Sequence, residues 1–191
     1  MAKRLIIGMS GASGAPLTVE LLRQLRAFHP QVETHLVVTR GGEMTLRQET
    51  GLTLEDIRVL AAVYHENDNI GAAIASGSFH TLGMAVVPCS MKTVAGIVSG
   101  YSDNLLLRAA DVCMKEQRKL VLVPREAPLS TLHLRNLYEA SQLGAVILPP
   151  MQTYYDHPQT VEDMTRQTVG RILSQFGLGD QSDVWTGMNE A

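Results

Sequence analysis

The chain has 191 residues, of which 45% are hydrophobic and 18% are charged, and its net charge is −3. The length fits one domain with a sizeable core, the apolar runs are too short to span a membrane, and the acidic balance gives no reason to expect a nucleic acid or an anionic membrane surface as partner. Because a typical chain carries roughly a quarter charged residues, we expect some surface to be buried against other copies.

The remaining composition predicts a cytoplasmic protein without a metal. The start MAKRLIIG has a three-residue apolar run before glycine, which predicts a first strand and not a signal peptide. Two cysteines, Cys89 and Cys113, cannot form a disulfide framework. The six histidines lack the spacing of metal ligands, and His29, His35 and His65 are predicted at scattered surface or edge positions.

Strand and helix patterns alternate along the whole chain. Short apolar runs predict strands at residues 3–8, 34–39, 84–88, 120–124 and 145–148. Apolar residues at helical spacing predict helices at residues 15–28, 43–49, 53–62, 92–99, 104–118, 131–143 and 160–176. The polar, glycine-bearing stretch 67–81 is predicted to be a loop with one helical turn.

This alternation predicts the α/β fold class: a single-domain, doubly wound (Rossmann/flavodoxin-like) parallel sheet with helices on both faces. The domain is predicted to take in residues 1–191, with a polar tail from about residue 177. Ligands of such sheets bind outside the carboxyl ends of the strands. Polar residues that directly follow a predicted strand are therefore the candidate site.

The first such position is the glycine-rich turn at residues 8–14, GMSGASG. Backbone N–H groups at a helix start form a phosphate cradle, to which Ser10 and Ser13 add hydroxyls, although a tight turn would need the glycines in any case. A dinucleotide site would have glycine in place of Ser10 and an acidic residue after the second strand, where this chain has Thr39 and Arg40. No GK[ST] follows, so a P-loop is excluded, and flavin mononucleotide fits better than a dinucleotide.

Polar and charged residues also follow the third and fourth predicted strands. Residues 88–93 (PCSMKT) supply two hydroxyls, an ammonium and helix N-terminal amides, and Ser90 would also cap the helix. Cys89 is predicted to be a core residue rather than a nucleophile, since no base neighbours it in sequence. Arg125 and Glu126 follow the fourth strand, where they are well placed to meet an anionic substrate.

The long helix at residues 104–118 carries Arg108, Asp111 and Lys115 on one face. Asp111 and Lys115 have the order of a helical ion pair, so a solvated face and a ligand site both remain open.

Glu49 ends a predicted helix, and the sequence leaves open whether it is an exposed surface residue or part of the site. Tyr154 and Tyr155 follow the last strand, where one of them would hydrogen-bond a ligand phosphate or cover a ring. Arg171, on the last helix, would by itself be interpreted as solvated.

Together these motifs resemble the UbiX-like flavin prenyltransferase family, whose members have also been called phenylacrylic or aromatic acid decarboxylase subunits. The resemblance runs from residue 3 to about residue 177. Its longest motifs are SGASGA at 10–15, ASGSF at 75–79, PCSMKT at 88–93, RAADVxxKExR at 108–118, LVLVPREAP at 120–128 and GAVILPP at 144–150.

The resemblance implies an enzyme, a metal-independent flavin prenyltransferase. It would join the dimethylallyl group of dimethylallyl phosphate to N5 and C6 of reduced FMN. The product, prenylated FMN, would serve a UbiD-type decarboxylase in aromatic acid decarboxylation. The family forms dodecamers with the site between subunits, so a homo-oligomer is implied as well.

Site residues carry over position by position. The resemblance implies cofactor binding by Gly11, Ala12, Ser13, Thr39, Ser90, Met91, Lys92, Thr93 and Arg125. It implies substrate binding by Arg108, Lys115, Arg125, Glu126, Tyr155 and Arg171. It implies catalytic roles for Ser13, Glu49, Lys115 and Glu126, and Trp185 in the tail would cover the site.

The sequence departs from the family pattern at three places. Residues 15–17 (APL) stand where relatives show an aromatic–glycine pair, so the prenyl pocket is expected to differ in shape. Gly41 and Gly42 replace a pair usually made of alanines, and Asp156 follows Tyr155 where histidine is common. None of these departures removes a proposed charged group.

Three other functions compete with this interpretation. An FMN-dependent cysteine decarboxylase would need a catalytic histidine after the first turn, and the sequence has none there. An FMN carrier would have no use for three cations and two carboxyl groups at strand ends. A non-catalytic subunit of an aromatic acid decarboxylase would keep a fixed ratio to its partner, and its charged residues would be dispensable.

Overall fold

The computed structural model describes residues 3–179, and within them the chain forms one six-stranded parallel sheet. The strands are β1 (Lys3–Met9), β2 (Val32–Val38), β3 (Val63–His65), β4 (Gly83–Cys89), β5 (Lys119–Pro124) and β6 (Val146–Ile147). The helices are α1 (Ala15–Phe28), α2 (Arg40–Thr50), α3 (Leu54–Arg58), α4 (Met91–Val98), α5 (Leu105–Lys115), α6 (Thr131–Gln142) and α7 (Val161–Ser174). A 3-10 turn, Ala73–Ala75, precedes β4.

The strand order is β3-β2-β1-β4-β5-β6. The chain winds outwards from β1 to β3, crosses over to β4 on the other side of β1, and then winds outwards to β6. The crevice between β1 and β4 is therefore the switch point of the sheet, where ligands of open α/β sheets bind. The α/β fold class predicted from the sequence is confirmed.

Helices cover both faces of the sheet because its central strands are apolar on both sides. Along β1, Leu5, Ile7 and Met9 pack in one core with α1, α2, α3 and α7. Ile6, pointing to the opposite face, packs in a second core with α4, α5 and α6. No helix within residues 3–179 is long and apolar enough to cross a membrane.

The structure differs from the predicted elements mainly between β2 and β4. Strand β3 was not predicted, because three residues are too few to show a pattern; its backbone pairs with β2, Val63 opposite His35. Helix α3 ends at Arg58 instead of continuing to residue 62. Helix α2 begins three residues earlier than predicted, since the Thr39 side chain accepts from the Gly42 N–H and caps it.

The prediction of a surface or edge position is wrong for His35, which is buried on β2, whereas His65 is half-buried on the edge strand β3. His35 is only 3% exposed, and its Nδ1 lies 2.9 Å from Nε2 of His65. Its Nε2 lies 2.8 Å from the Glu33 carboxylate, which also contacts Arg4 at 3.4 Å. Pairing between neighbouring strands brings these side chains together, and no sequence spacing shows that.

Candidate functional site

The site is built at the carboxyl edge of β2, β1 and β4, where three helices begin side by side. Helix α1 follows β1, α2 follows β2 and α4 follows β4. The first N–H groups of each helix have no acceptor within the helix, and they form the positive end of its dipole. This edge therefore favours an anionic group such as a phosphate.

The turn after β1 lies directly against the start of α2. A Cβ at Gly11 would come within 2.9 Å of the Gly41 Cα, so two glycines let the backbones approach. Gly14, at the end of the same turn, has a φ of 123°, which other residues rarely adopt. Gly41 therefore allows the close approach of α2 to the first turn.

Glu49 does not extend freely from α2, although its side chain is largely exposed. Its Oε2 accepts the N–H groups of Gly14 at 2.9 Å and of Ala15 at 2.8 Å. It therefore caps the N-terminus of α1, a role that Gly14 has no side chain to fill. Because Oε2 accepts both bonds, Oε1 is the oxygen left for other contacts at the glycine-rich turn.

Ser90 caps α4, as one of the two sequence interpretations predicted. Its Oγ accepts the Thr93 N–H at 3.2 Å and lies 3.0 Å from the Thr93 hydroxyl. The N–H groups of Met91 and Lys92 remain without an acceptor inside the helix. The Lys92 side chain is exposed at this end of the helix.

The Ser10 hydroxyl is not available for a ligand, contrary to the prediction. The sequence suggested a hydroxyl for a phosphate, but the side chain is 1% exposed and its hydroxyl is bonded inside the protein. Ser13, in contrast, is partly exposed in the turn and stays available.

Arg125 and Glu126 lie at the same edge, one strand further along. The Arg125 N–H donates to the Cys89 carbonyl at 3.1 Å, which ties the end of β5 to the end of β4. Both side chains are exposed, and within residues 3–179 the Arg125 guanidinium has no protein partner. Burial raises the pKa of the Cys89 thiol, in agreement with its prediction as a core residue.

Lys115 is not close to Arg125 in one chain. Lys115 precedes β5 and Arg125 follows it, so a strand of six residues separates them by about 20 Å. The Lys115 ammonium contacts Glu116 and lies beside Gly77. Arg108 bonds the Ala75 carbonyl at 3.3 Å and pairs with Asp111 at 2.6 Å. Asp111 and Lys115, whose spacing would allow an ion pair, each have a different partner, Arg108 and Glu116.

The remaining predicted residues lie towards the end of the chain. Tyr154 and Tyr155 are exposed in the loop after β6, and the Tyr154 hydroxyl donates to Gln152 at 2.7 Å. Arg171 is exposed on α7, a helix that packs through Val169 and Ile172 on the core beside α1. Trp185 lies outside the described residues.

The donor set at the β1–β4 edge fits a flavin mononucleotide. The free N–H groups at the starts of α2 and α4, the Ser13 hydroxyl and the exposed Lys92 provide donors for one phosphate, whereas Glu49 already accepts the N–H groups at the start of α1. Thr39 follows the second strand, at the position where a dinucleotide site would have a carboxylate for the ribose.

Comparison with known proteins matches residues 1–173 to the family model described as Flavoprotein. The chain is 53% identical over 188 residues to a probable UbiX-like flavin prenyltransferase of Sedimentibacter hydroxybenzoicus, covering 98% of this chain and 99% of that protein.

Two solved structures are similar over nearly the whole chain. One is a dodecameric FMN-dependent UbiX-like decarboxylase from Escherichia coli O157:H7, with 51% identity, a TM-score of 0.93 and coverage of 97% of this chain and all of the other. The second is AnUbiX (PadA1) in complex with FMN and dimethylallyl pyrophosphate, with 45% identity, a TM-score of 0.94 and coverage of 99% of this chain and all of the other.

Proposed function

The chain belongs to the family of UbiX-like flavin prenyltransferases, and we propose from that membership how its residues bind FMN and a dimethylallyl phosphate and transfer the prenyl group. The enzyme joins the dimethylallyl group to N5 and C6 of reduced FMN. The observation that supports a complete site most directly is the convergence of α1, α2 and α4 at the switch point, next to the exposed Arg125 and Glu126.

The flavin would be held between the turns after β1 and β4. Gly11, Ala12 and Ser13 would lie on one side with Thr39, and residues 90–93 on the other. When bound, reduced FMN supplies the electron-rich ring that accepts the prenyl carbon. The chain's own contribution is to orient that ring and to exclude water around it.

The cations would stabilise the leaving phosphate. Departure of a phosphate from an allylic carbon places negative charge on the phosphate oxygens, and charged donors can stabilise it without a metal. We assign this role to Lys115, Arg125 and Arg171, with Arg108, Glu126 and Tyr155 as further contacts. Arg125, exposed and without a protein partner among residues 3–179, is the cation best prepared for it.

Lys115 and Arg108 would act in the site of a neighbouring copy. Lys115 lies at the opposite end of β5 from Arg125, so one chain cannot bring both to one phosphate. The relative from E. coli O157:H7 is a dodecamer, and the exposed apolar residues of α6, Leu132, Leu134 and Tyr138, give this chain surface for such contacts. The site would then be complete only between subunits.

Glu49 and Ser13 would handle protons at the flavin. Glu49 is already bonded to the turn that contains Ser13, through Gly14 and Ala15. Its second oxygen would accept the proton that the flavin ring loses, and the departing phosphate is the alternative acceptor. Product would pass to a UbiD-type decarboxylase, and we place the reaction in the cytoplasm.

The test is to mix the protein anaerobically with reduced FMN and dimethylallyl phosphate and to analyse the released flavin by mass spectrometry. We expect the flavin to gain one dimethylallyl unit. Lys115→Ala should lower the rate about 100-fold, whereas Lys119→Ala, which removes an exposed lysine four residues later, should not.

An FMN that binds but stays unchanged in mass would contradict the transferase and favour a non-catalytic carrier or decarboxylase subunit. A diphosphate donor run in parallel shows which phosphate ester the site takes.

A further inference from the structure

The two turns proposed to hold the flavin are joined beneath the site by one buried side chain. The parallel pairing of β1 with β4 ends at Gly8 opposite Val86. Beyond that point β4 continues to Cys89, and its pairing with β5 is irregular between Val86 and Cys89. The sheet ladder therefore does not by itself align the turn after β1 with the turn after β4.

Ser10 makes the connection that the ladder lacks. Its backbone N–H donates to the Pro88 carbonyl at 3.1 Å, and its hydroxyl donates to the same carbonyl at 3.1 Å. The Ser10 Oγ in turn accepts the N–H of Ser90 at 2.8 Å. A serine hydroxyl has one proton to donate, so these contacts fix its orientation.

Ser90 transmits this alignment to α4. Its N–H is bonded to Ser10, while its own Oγ caps the helix through Thr93. The position of Ser10 therefore decides where the N-terminus of α4 lies relative to the turn that begins at Gly11. The Ser10 hydroxyl, together with the Ser10 backbone N–H, couples residues on both sides of the crevice.

We propose that Ser10 is a positioning residue of the flavin site, an inference that rests on the proposed function. With its side chain 1% exposed and its hydroxyl already bonded on both sides, Ser10 does not contact the ligand. It acts through Ser90, by holding the N–H groups of α4 at the spacing from the first turn that the flavin requires.

Thr18 offers a matched control. It is 0% exposed, and its hydroxyl donates to the Val87 carbonyl, one residue before the carbonyl that Ser10 contacts. Thr18 lies on α1, and none of its bonds reaches Ser90. Thr18→Val therefore removes a buried hydroxyl bonded to the same strand but leaves the link between the two turns intact.

The experiment compares Ser10→Ala, Ser10→Cys and Thr18→Val with the wild-type protein. Three quantities are measured: the thermal midpoint, amide hydrogen exchange of the segment 86–93 in flavin-free protein, and the Kd for FMN by fluorescence quenching. We expect both Ser10→Ala and Thr18→Val to lower the midpoint. Of these two variants, only Ser10→Ala should speed exchange at Ser90 and raise the Kd for FMN about tenfold, the equivalent of one hydrogen bond of ordinary strength.

Ser10→Cys separates packing from hydrogen bonding and serves if the alanine variant does not fold. A thiol fills the space but is a weak donor and acceptor, so this variant should also bind FMN more weakly than wild type. Wild-type FMN affinity in Ser10→Cys, or an equal loss of affinity in Thr18→Val, would overturn the proposal.

These outcomes are distinct from a failure of the proposed function. A wild-type protein that did not bind FMN would remove the function and this role together. A wild-type protein that binds and prenylates FMN, with Ser10 variants of unchanged affinity and unchanged amide exchange, would remove only the role of Ser10.

Discussion

Glu49 has two roles that a single substitution can separate. Its carboxylate caps α1 through two backbone N–H groups, and it is also the proposed proton acceptor. A glutamine keeps an oxygen that can accept those bonds, but it cannot take up a proton. The cap should therefore survive in Glu49→Gln while the chemistry does not.

We expect Glu49→Gln to slow prenyl transfer about 100-fold, within the range found for general bases. The free energy of unfolding should fall by only about 0.5 kcal/mol, the value of a charge at a helix end. Single-turnover rates and urea unfolding measure the two effects. Glu43→Gln, an exposed glutamate in the first turn of the same helix, is the control and should keep the wild-type rate.

The pair formed by the buried His35 and the half-buried His65 has a defined protonation pattern. If Glu33 accepts from Nε2–H of His35, then Nδ1 of a neutral His35 accepts from Nε2–H of His65. The pair can bind one proton and keep its hydrogen bond, but a second proton would break it. Burial, the larger effect, lowers the pKa of His35 although Glu33 raises it, and burial together with His35 lowers the pKa of His65.

Stability should consequently fall as the pH drops from 7 towards 5.5. Unfolded histidines take up protons near their ordinary pKa of 6.5, whereas the folded pair takes them up only at lower pH. The unfolded state binds more protons in this window, so the free energy of unfolding rises with pH. Urea unfolding across the window should show a smaller slope in His65→Gln than in wild type or in the exposed control His80→Gln. Equal slopes in all three would rule out the pair as the cause.

At the scale of elements, glycines determine how closely the first turn approaches α2. Gly11 and Gly41 face each other through their backbones, and a backbone cannot move aside as a flexible side chain can. Gly41, which the sequence analysis named as a departure from the family pattern, has in the structure a partner 30 residues away along the chain. Gly41 therefore affects the turn that is proposed to hold the flavin.

Gly11→Ala should lower the free energy of unfolding by about 2 kcal/mol, because its Cβ would overlap with Gly41. It should weaken FMN binding as well, since the turn must shift. Gly71→Ala is the comparison, because its Cβ would meet only the Asn69 side chain at 3.5 Å, and we expect it to be neutral. Thermal unfolding with and without FMN checks both expectations, and a neutral Gly11→Ala would contradict the close contact.

The prediction of elements succeeded where a pattern is long. The helix at 15–28 was predicted correctly from sequence, because a helical period is a local property. Strand β3 was missed because its three residues are defined by pairing with β2 and not by their own composition.

At the scale of the whole molecule, the separation of Lys115 from Arg125 makes a prediction about mixed oligomers. If each site takes its lysine from one copy and its arginine from another, two inactive variants should restore activity to each other. Lys115→Ala and Arg125→Ala, co-expressed in equal amounts, should give active sites at about a quarter of positions when copies assemble at random. Either variant alone should stay inactive.

The measurement is prenyl transfer per subunit in the purified mixture, compared with each variant alone. Co-expression of Lys115→Ala with Lys115→Met serves as the control, since no arrangement of those copies restores a lysine. A mixture as inactive as its components would show that both residues act within one copy.

The sequence by itself determined the alternation of strands and helices, the α/β class and the polar residues at strand ends, because hydrophobic period, caps and glycine turns are local properties. It also indicated the protein family, through motifs spread from residue 10 to residue 150. Only the tertiary structure decided that Glu49 caps α1, that Ser10 joins two turns, that His35 meets His65 and that Lys115 lies away from Arg125. These facts depend on which strands are neighbours, and strand order follows from the packing of the whole chain.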